Sequence, residues 1–179
     1  MGQRPVTNEK TRMDLSAVLA GMEPRLREMI GANITLQMNL ERGGLWVKAD
    51  AGRIEHVVVN LVTNARDATP QGGTITVETS RVVKSKGQSE FADVYTMPDG
   101  NYVRLAVRDT GIGMDEYTKR ECFNPFFTTK ANSEGLGLSI TYGIVTHSGG
   151  WIWLESTPGR GTCFEVHLRE DRGPDAAPA

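Results

Sequence analysis

The 179-residue sequence predicts an α+β fold, a two-layer α/β sandwich with about three helices packed on one face of a mixed, mostly antiparallel sheet. Three observations point there. Some segments carry apolar residues at helical spacing, and others alternate apolar and polar residues as half-buried strands do. The two kinds are grouped along the chain rather than strictly alternating, which argues against a doubly wound parallel sheet.

Met1 to Arg12 is polar and reads as a flexible leading tail, so the domain is expected to span residues 13–171. Asp14-Leu-Ser is a helix entry, followed by Val18, Leu19, Met22, Leu26, Met29 and Ile30 at helical spacing. Asn33 to Leu40 alternates like a strand, Gly43-Gly44 turns the chain, and Leu45 to Ala49 makes a second strand. Asp50 opens a long helix to about Ala68, ended by Pro70 and Gly72-Gly73. Thr74 to Val82 and Tyr102 to Asp109 alternate strongly as strands, while Lys84 to Asn101 reads as a hairpin or loop. A short helix is predicted over Asp115 to Cys122, loop over Asn124 to Glu134, and a helix over Leu136 to Ser148, entered through Gly135. Trp151 to Ser156 and Thr162 to Leu168 form a closing hairpin around Pro158-Gly-Arg-Gly, and residues 172–179, rich in Pro and Ala, read as a disordered tail.

Hydrophobic and charged residues make up 39% and 23% of the chain, as in ordinary globular domains. A net charge of −2 offers no electrostatic case for nucleic acid or a membrane surface as main partner. No apolar run is long enough to span a bilayer. Cys122 and Cys163 fit neither a disulfide framework nor a zinc site and read as buried thiols.

Four segments can carry chemistry, though taken singly each also reads as ordinary structure: a solvated helix face, a turn, a loop anchored in the core and a Gly-rich helix start packed on a sheet. The first is Asn60-Leu-Val-Thr-Asn64-Ala-Arg-Asp67-Ala. Helical spacing places His56, Asn60 and Asn64 on one polar stripe opposite Ile54, Val58, Leu61, Val62 and Ala65. A neutral amide oxygen there suits Mg²⁺ already held by phosphates, because Mg²⁺ prefers hard oxygens and keeps several waters. The second is Asp109-Thr-Gly111-Ile-Gly113 at a strand end. A fixed carboxylate accepts a hydrogen bond from the exocyclic amine of adenine and repels the corresponding oxygen of guanine. The third is Phe123-Asn-Pro-Phe126-Phe127-Thr-Thr129-Lys130, whose exposed consecutive aromatics suggest a segment that packs when a ligand or partner is present, or a loop anchored in the core by two of its Phe residues, and which carries a cation. The fourth is Gly135-Leu136-Gly137-Leu138-Ser-Ile opening a helix, where free N–H groups favour an anion.

In this order the four segments resemble the N, G1, F and G2 boxes of bacterial sensor histidine kinases, over about Glu55 to Val145. The hairpin Gly159-Arg-Gly-Thr162-Cys-Phe164 resembles the same family's last hairpin. The chain is most similar to the Phe-Phe-Thr-Thr-Lys type, such as nitrogen-regulator and cell-cycle hybrid kinases. The resemblance implies the GHKL or Bergerat fold and a catalytic domain using ATP and Mg²⁺. It implies Asn64 as the metal ligand, with Asn60 near the phosphates and, together with Lys130, catalytic. Asp109 would hold adenine with help from Thr162, in a base pocket lined by Gly111 and Gly113. Asp67, Thr129, Lys130, Gly135, Leu136, Gly137 and Leu138 would complete the nucleotide site, under a lid over roughly Thr129 to Glu134.

The family often has Gly at Ser133, Gln at His56 and a phosphate-facing Lys at Asp67, so Lys130 or Arg66 would have to supply that charge. ATP-hydrolysing relatives carry a Glu four residues before the metal-binding Asn, and here that position is Asn60. An amide cannot take a proton from water, so transfer to an outside nucleophile is expected over hydrolysis. The family's acceptor histidine lies on a separate dimerisation and phosphotransfer domain, and His56, His147 and His167 are expected to be structural. The implied partners are that domain and a downstream response regulator, with this portion a cytoplasmic monomer. The alternatives are a nucleotide sensor without transfer, or an anti-sigma-type serine kinase of the same fold.

Overall fold

A computed structural model describes residues 9–85 and 97–173. In chain order the elements are β1 (Thr11–Asp14), α1 (Leu15–Ile30), β2 (Ile34–Leu40), β3 (Trp46–Ala49), α2 (Ala51–Asp67), β4 (Gly73–Lys84), β5 (Gly100–Asp109), α3 (Glu116–Glu121), α4 (Gly137–His147), β6 (Trp151–Thr157) and β7 (Gly161–Arg169). Five strands form one sheet in the order β2-β4-β5-β7-β6, and β1 pairs separately with β3. The β2–β4 pair is parallel and the other neighbours are antiparallel, which makes the sheet mixed.

The period-2 pattern sets which face is covered. Ile75 and Val77 of β4, Val103, Leu105 and Val107 of β5, and Phe164, Val166 and Leu168 of β7 point into one core. Helices close it from that side: Leu15, Leu19, Leu26 and Ile30 of α1, Ile54, Val58, Leu61 and Val62 of α2, and Val145 of α4. The helices start where their sequence signals place them. Asp14 accepts the N–H of Ser16 at 3.1 Å, Asp50 that of Arg53 at 3.1 Å, and Asp115 that of Thr118 at 2.7 Å.

Four helices are present among the described residues, the three long ones and the short α3. Two details differ from the sequence reading. Thr11 and Arg12 are not tail but strand, because β1 pairs with β3 in the register Thr11↔Ala49. The strand over Trp46–Ala49 therefore lies outside the main sheet, tied to it by the Val47↔Glu170 bridge. Residues 86–96, within the expected hairpin or loop, and 174–179, within the expected tail, lie outside the described residues.

On the opposite sheet face, His167 of β7 stacks on Trp153 of β6 with ring centroids 4.1 Å apart. Its Nδ1 is buried without a hydrogen-bond partner among the described residues. Burial pushes its pKa down from 6.5 to about 4, against the pull of Glu165 and with a further push from Arg104 and Lys84. Between those values the unfolded chain binds a proton that the folded protein refuses. Stability is therefore lost as pH falls through this window, by up to about 3 kcal/mol. His167→Gln cannot titrate, so its melting temperature is expected to fall less than the parent's between about pH 7 and about pH 4.5. Equal acid sensitivity of the two proteins would place the effect elsewhere.

Candidate functional site

Asp109 ends β5, beside β4 and β7. It is 5% exposed, and its Oδ1 accepts the N–H of Gly111 at 2.8 Å and that of Thr162 at 3.3 Å. Burial raises its pKa, and the two N–H donors only partly offset that rise. Thr162 thus touches Asp109 directly through its backbone N–H. Its hydroxyl lies 2.7 Å from Ser156 Oγ, which also accepts the N–H of Met114 at 2.8 Å. Ser156 was not singled out from the sequence. It lies opposite Thr162 in the β6–β7 pair, and a serine in an alternating strand has no chemical signature of its own.

The loop after Asp109 is stitched to the end of α2. Ile112 N–H donates to the Ala68 carbonyl at 2.8 Å, and Ala68 N–H donates to the Asn64 carbonyl at 3.0 Å. Gly111 sits so close that a Cβ there would collide with the Ala68 carbonyl. One helical turn thus separates Asn64 from the loop that carries Asp109. Gly113, at φ 68°, passes against Thr157, where a Cβ would meet its carbonyl.

Asn64 and Asp67 meet the loop before α4. Lys130 Nζ donates to Asn64 Oδ1 at 3.0 Å and to Asp67 Oδ2 at 2.7 Å. Asp67 Oδ1 is taken by Arg66, with Nε at 3.1 Å and Nη2 at 2.9 Å. Burial pushes the Asp67 carboxyl up, but the hydrogen bonds from Lys130 and Arg66 outweigh it and hold the pKa below its ordinary value. Arg66 also donates Nη1 to the Met29 carbonyl at 3.3 Å, which turns its guanidinium toward the end of α1.

Asn60, one turn earlier, faces α4. Its Nδ2 lies 3.2 Å from the Gly137 carbonyl and 3.3 Å from Thr141 Oγ1. The N-cap residue of α4, Leu136, makes no side-chain capping bond, so the first turn keeps unclaimed N–H groups. A Cβ on Gly137 would meet nothing within 4 Å, whereas Gly135, at φ 71°, lies against the carbonyl of Phe127. Leu138 packs on the core. Thr129 is exposed.

In the aromatic loop one ring turns inward and another outward. Phe123 makes the core contact, with its ring 6.1 Å from Phe164 and 5.6 Å from Tyr142. Phe126 is 75% exposed at φ 66°, its N–H donating to the Gly135 carbonyl at 3.0 Å, and Phe127 lies edge-on to Tyr117. His56 does not join the Asn stripe. It is exposed in a depression with Arg25, Glu55 and Val59. Both cysteines are free and buried, with thiols pushed up to about 11 by burial, so neither is a thiolate near neutral pH.

The donor set fits a metal brought in by phosphates. Among the described residues no group of three or more His, Cys, Asp or Glu is placed to hold a metal, and Asn64 offers a single amide oxygen of the kind Mg²⁺ accepts alongside phosphate and water. Among these residues, too, no helix is long and apolar enough to cross a membrane.

Residues 49–172 match the family model described as histidine kinase-, DNA gyrase B-, and HSP90-like ATPase. The sensor kinase CckA of Brucella abortus is 40% identical over 173 residues, covering 93% of this chain and 18% of its own length. The sensor protein DivL of Caulobacter vibrioides is 30% identical, with 18% of its length covered, so the chain spans about a fifth of the length of these two relatives. The solved catalytic domain of the histidine kinase ThkA superposes with a TM-score of 0.66 at 33% identity, covering 90% of this chain and 96% of that one. The Asp109 loop, the Asn-bearing helix and the Gly-rich start of α4 thus sit on a fold and sequence shared with nucleotide-binding kinases. The chain belongs to the histidine kinase-, DNA gyrase B- and HSP90-like ATPase family, as a catalytic ATP-binding domain of the sensor histidine kinase type.

Proposed function

We propose that this chain binds Mg-ATP and donates the γ-phosphate to a histidine on a separate dimerisation and phosphotransfer domain, which in turn serves a response regulator. The single observation that carries this reading is the stitching of the Asp109 loop to the Asn64 turn of α2 through the Ala68 carbonyl. It brings Asp109 and Asn64 to one end of the sheet, the arrangement that a carboxylate reading a purine and an amide holding its metal would need.

In this reading Asp109 accepts from the adenine amine, with Gly111, Gly113 and Thr162 shaping its surroundings. Asn64 presents its amide oxygen to Mg²⁺, which neutralises phosphate charge when bound. Gly135, Leu136, Gly137 and Leu138 present the open first turn of α4 to the phosphates. Lys130, with Thr129 beside it in the lid, supplies positive charge at the terminal phosphate. Arg66 is turned away toward Met29. Asn60 commits its amide donor to α4, and an amide cannot take a proton from water at the position where hydrolysing relatives carry Glu. Transfer to nitrogen therefore outruns hydrolysis. The N–P bond forms as the bond to the β-phosphate oxygen breaks, and ADP leaves with the electron pair. The portion described acts in the cytoplasm as a monomer.

Mixing the folded chain with a purified helical-hairpin acceptor domain and γ-labelled ATP tests this. Acid-labile label on the acceptor is expected. Acid-stable label would indicate a serine kinase, intact binding without label a sensor, and steady phosphate release a hydrolase; each would reject the proposal.

A further inference from the structure

Asp67 is grouped with the nucleotide site, at the position where the family often has a phosphate-facing Lys, and both of its oxygens are engaged by cations. Oδ1 takes two donors from Arg66 and Oδ2 takes Lys130 at 2.7 Å. Lys130 is the only Lys or Arg between Glu121 and Gly159. Its ammonium also sits on Asn64 Oδ1 at 3.0 Å, the oxygen assigned to Mg²⁺. An ammonium and a divalent cation on one amide oxygen repel each other, so the metal's arrival there displaces the lysine. Asp67, three residues along α2, still holds it.

We propose that Asp67 is a positioning residue for Lys130: it does not hold the metal, but tethers the lysine when Mg²⁺ takes the Asn64 oxygen, so that the displaced charge stays beside the terminal phosphate. This rests on the functional reading above and adds to it how the lid lysine is delivered. The ion pairs that Asp67→Asn loses are partly exposed and so weak, and relief of a carboxylate that opposes the helix dipole offsets part of the loss, so the substitution costs the fold little.

The test measures two quantities on the full chain: the Mg²⁺ midpoint for ADP binding, and the phosphoryl transfer rate to a supplied acceptor domain at saturating ATP. Asn64→Ala is expected to remove the Mg²⁺ dependence of ADP binding, whereas Asp67→Asn shifts the midpoint less than about twofold. Lys130→Ala is expected to slow transfer about 100-fold, as loss of a charge-stabilising donor does. Asp67→Asn is expected to recover much of that slowing as its own, and Asp67→Ala adds nothing to Lys130→Ala, the signature of residues acting as a unit. Restoring a cation from the helix, with Asp67→Lys in the Lys130→Ala background, is expected to regain part of the rate.

A midpoint raised about tenfold in Asp67→Asn would make Asp67 a metal ligand and overturn the proposal. Losses that multiply in the double variant would overturn the tether while leaving the nucleotide-site reading intact. Full-rate transfer by Lys130→Ala would remove the lysine's role, and the tether with it.

Discussion

Asp109→Asn is expected to weaken ATP binding more than about 100-fold while the fold survives and becomes no less stable. The variant keeps an oxygen for the N–H groups of Gly111 and Thr162, so the strand end holds its shape. The other carboxylate oxygen becomes an NH₂ facing the adenine amine. A hydrogen bond to a charged acceptor is worth about 1.5–3 kcal/mol, and two donors left facing each other add about 1–3 kcal/mol more. Together that is about 2.5–6 kcal/mol, or about two to four decades of affinity.

The stability sign follows from the raised pKa of Asp109. Its folded form holds a proton to higher pH than the unfolded chain does, so the ionised group weakens the fold above the unfolded value. Removing the charge relieves this, and the melting temperature of the nucleotide-free variant is expected to stay level or rise. A variant that binds ATP normally would remove the adenine assignment. One that melts far lower would mean the carboxylate is structural.

Gly111→Ala is expected to damage both fold and binding. The added methyl runs into the Ala68 carbonyl, which Ile112 N–H also needs at 2.8 Å. Backbone must give way, at a cost of about 1–3 kcal/mol for such overpacking. For a chain of this size that lowers the melting temperature by about 2–12 °C. The same shift pulls Gly111 N–H from Asp109 and moves the loop off α2, so nucleotide affinity falls about tenfold or more. Gly137→Ala is the contrast. With nothing within 4 Å of its Cβ, it is expected to melt like the parent and to lose affinity only where phosphates approach α4. Equal melting temperatures for all three proteins would contradict the stitching of the two segments.

The strongly periodic elements were legible from sequence: α2, β4 and β5 lie close to where spacing and alternation put them. β1 was not, because four residues with exposed Thr11 and Arg12 carry no alternating apolar signal, and the helix cap at Asp14 masks them. The aromatic loop shows a second limit. Consecutive phenylalanines do not reveal which ring turns inward, and the anchor is Phe123 rather than Phe126. The four motif segments could be named from residue order alone. The bond of Lys130 to Asp67 could not, since 63 residues separate them and only the packing of the lid on α2 brings them together.

The central claim is a single purine pocket read by Asp109 beside a metal-holding Asn64. Calorimetric titration of the folded chain with ATP and with GTP, each in excess Mg²⁺, tests it most directly. The account predicts saturable one-site heat with ATP and none with GTP at the same concentrations. No heat with ATP from well-folded protein, or equal binding of the two nucleotides, would contradict it.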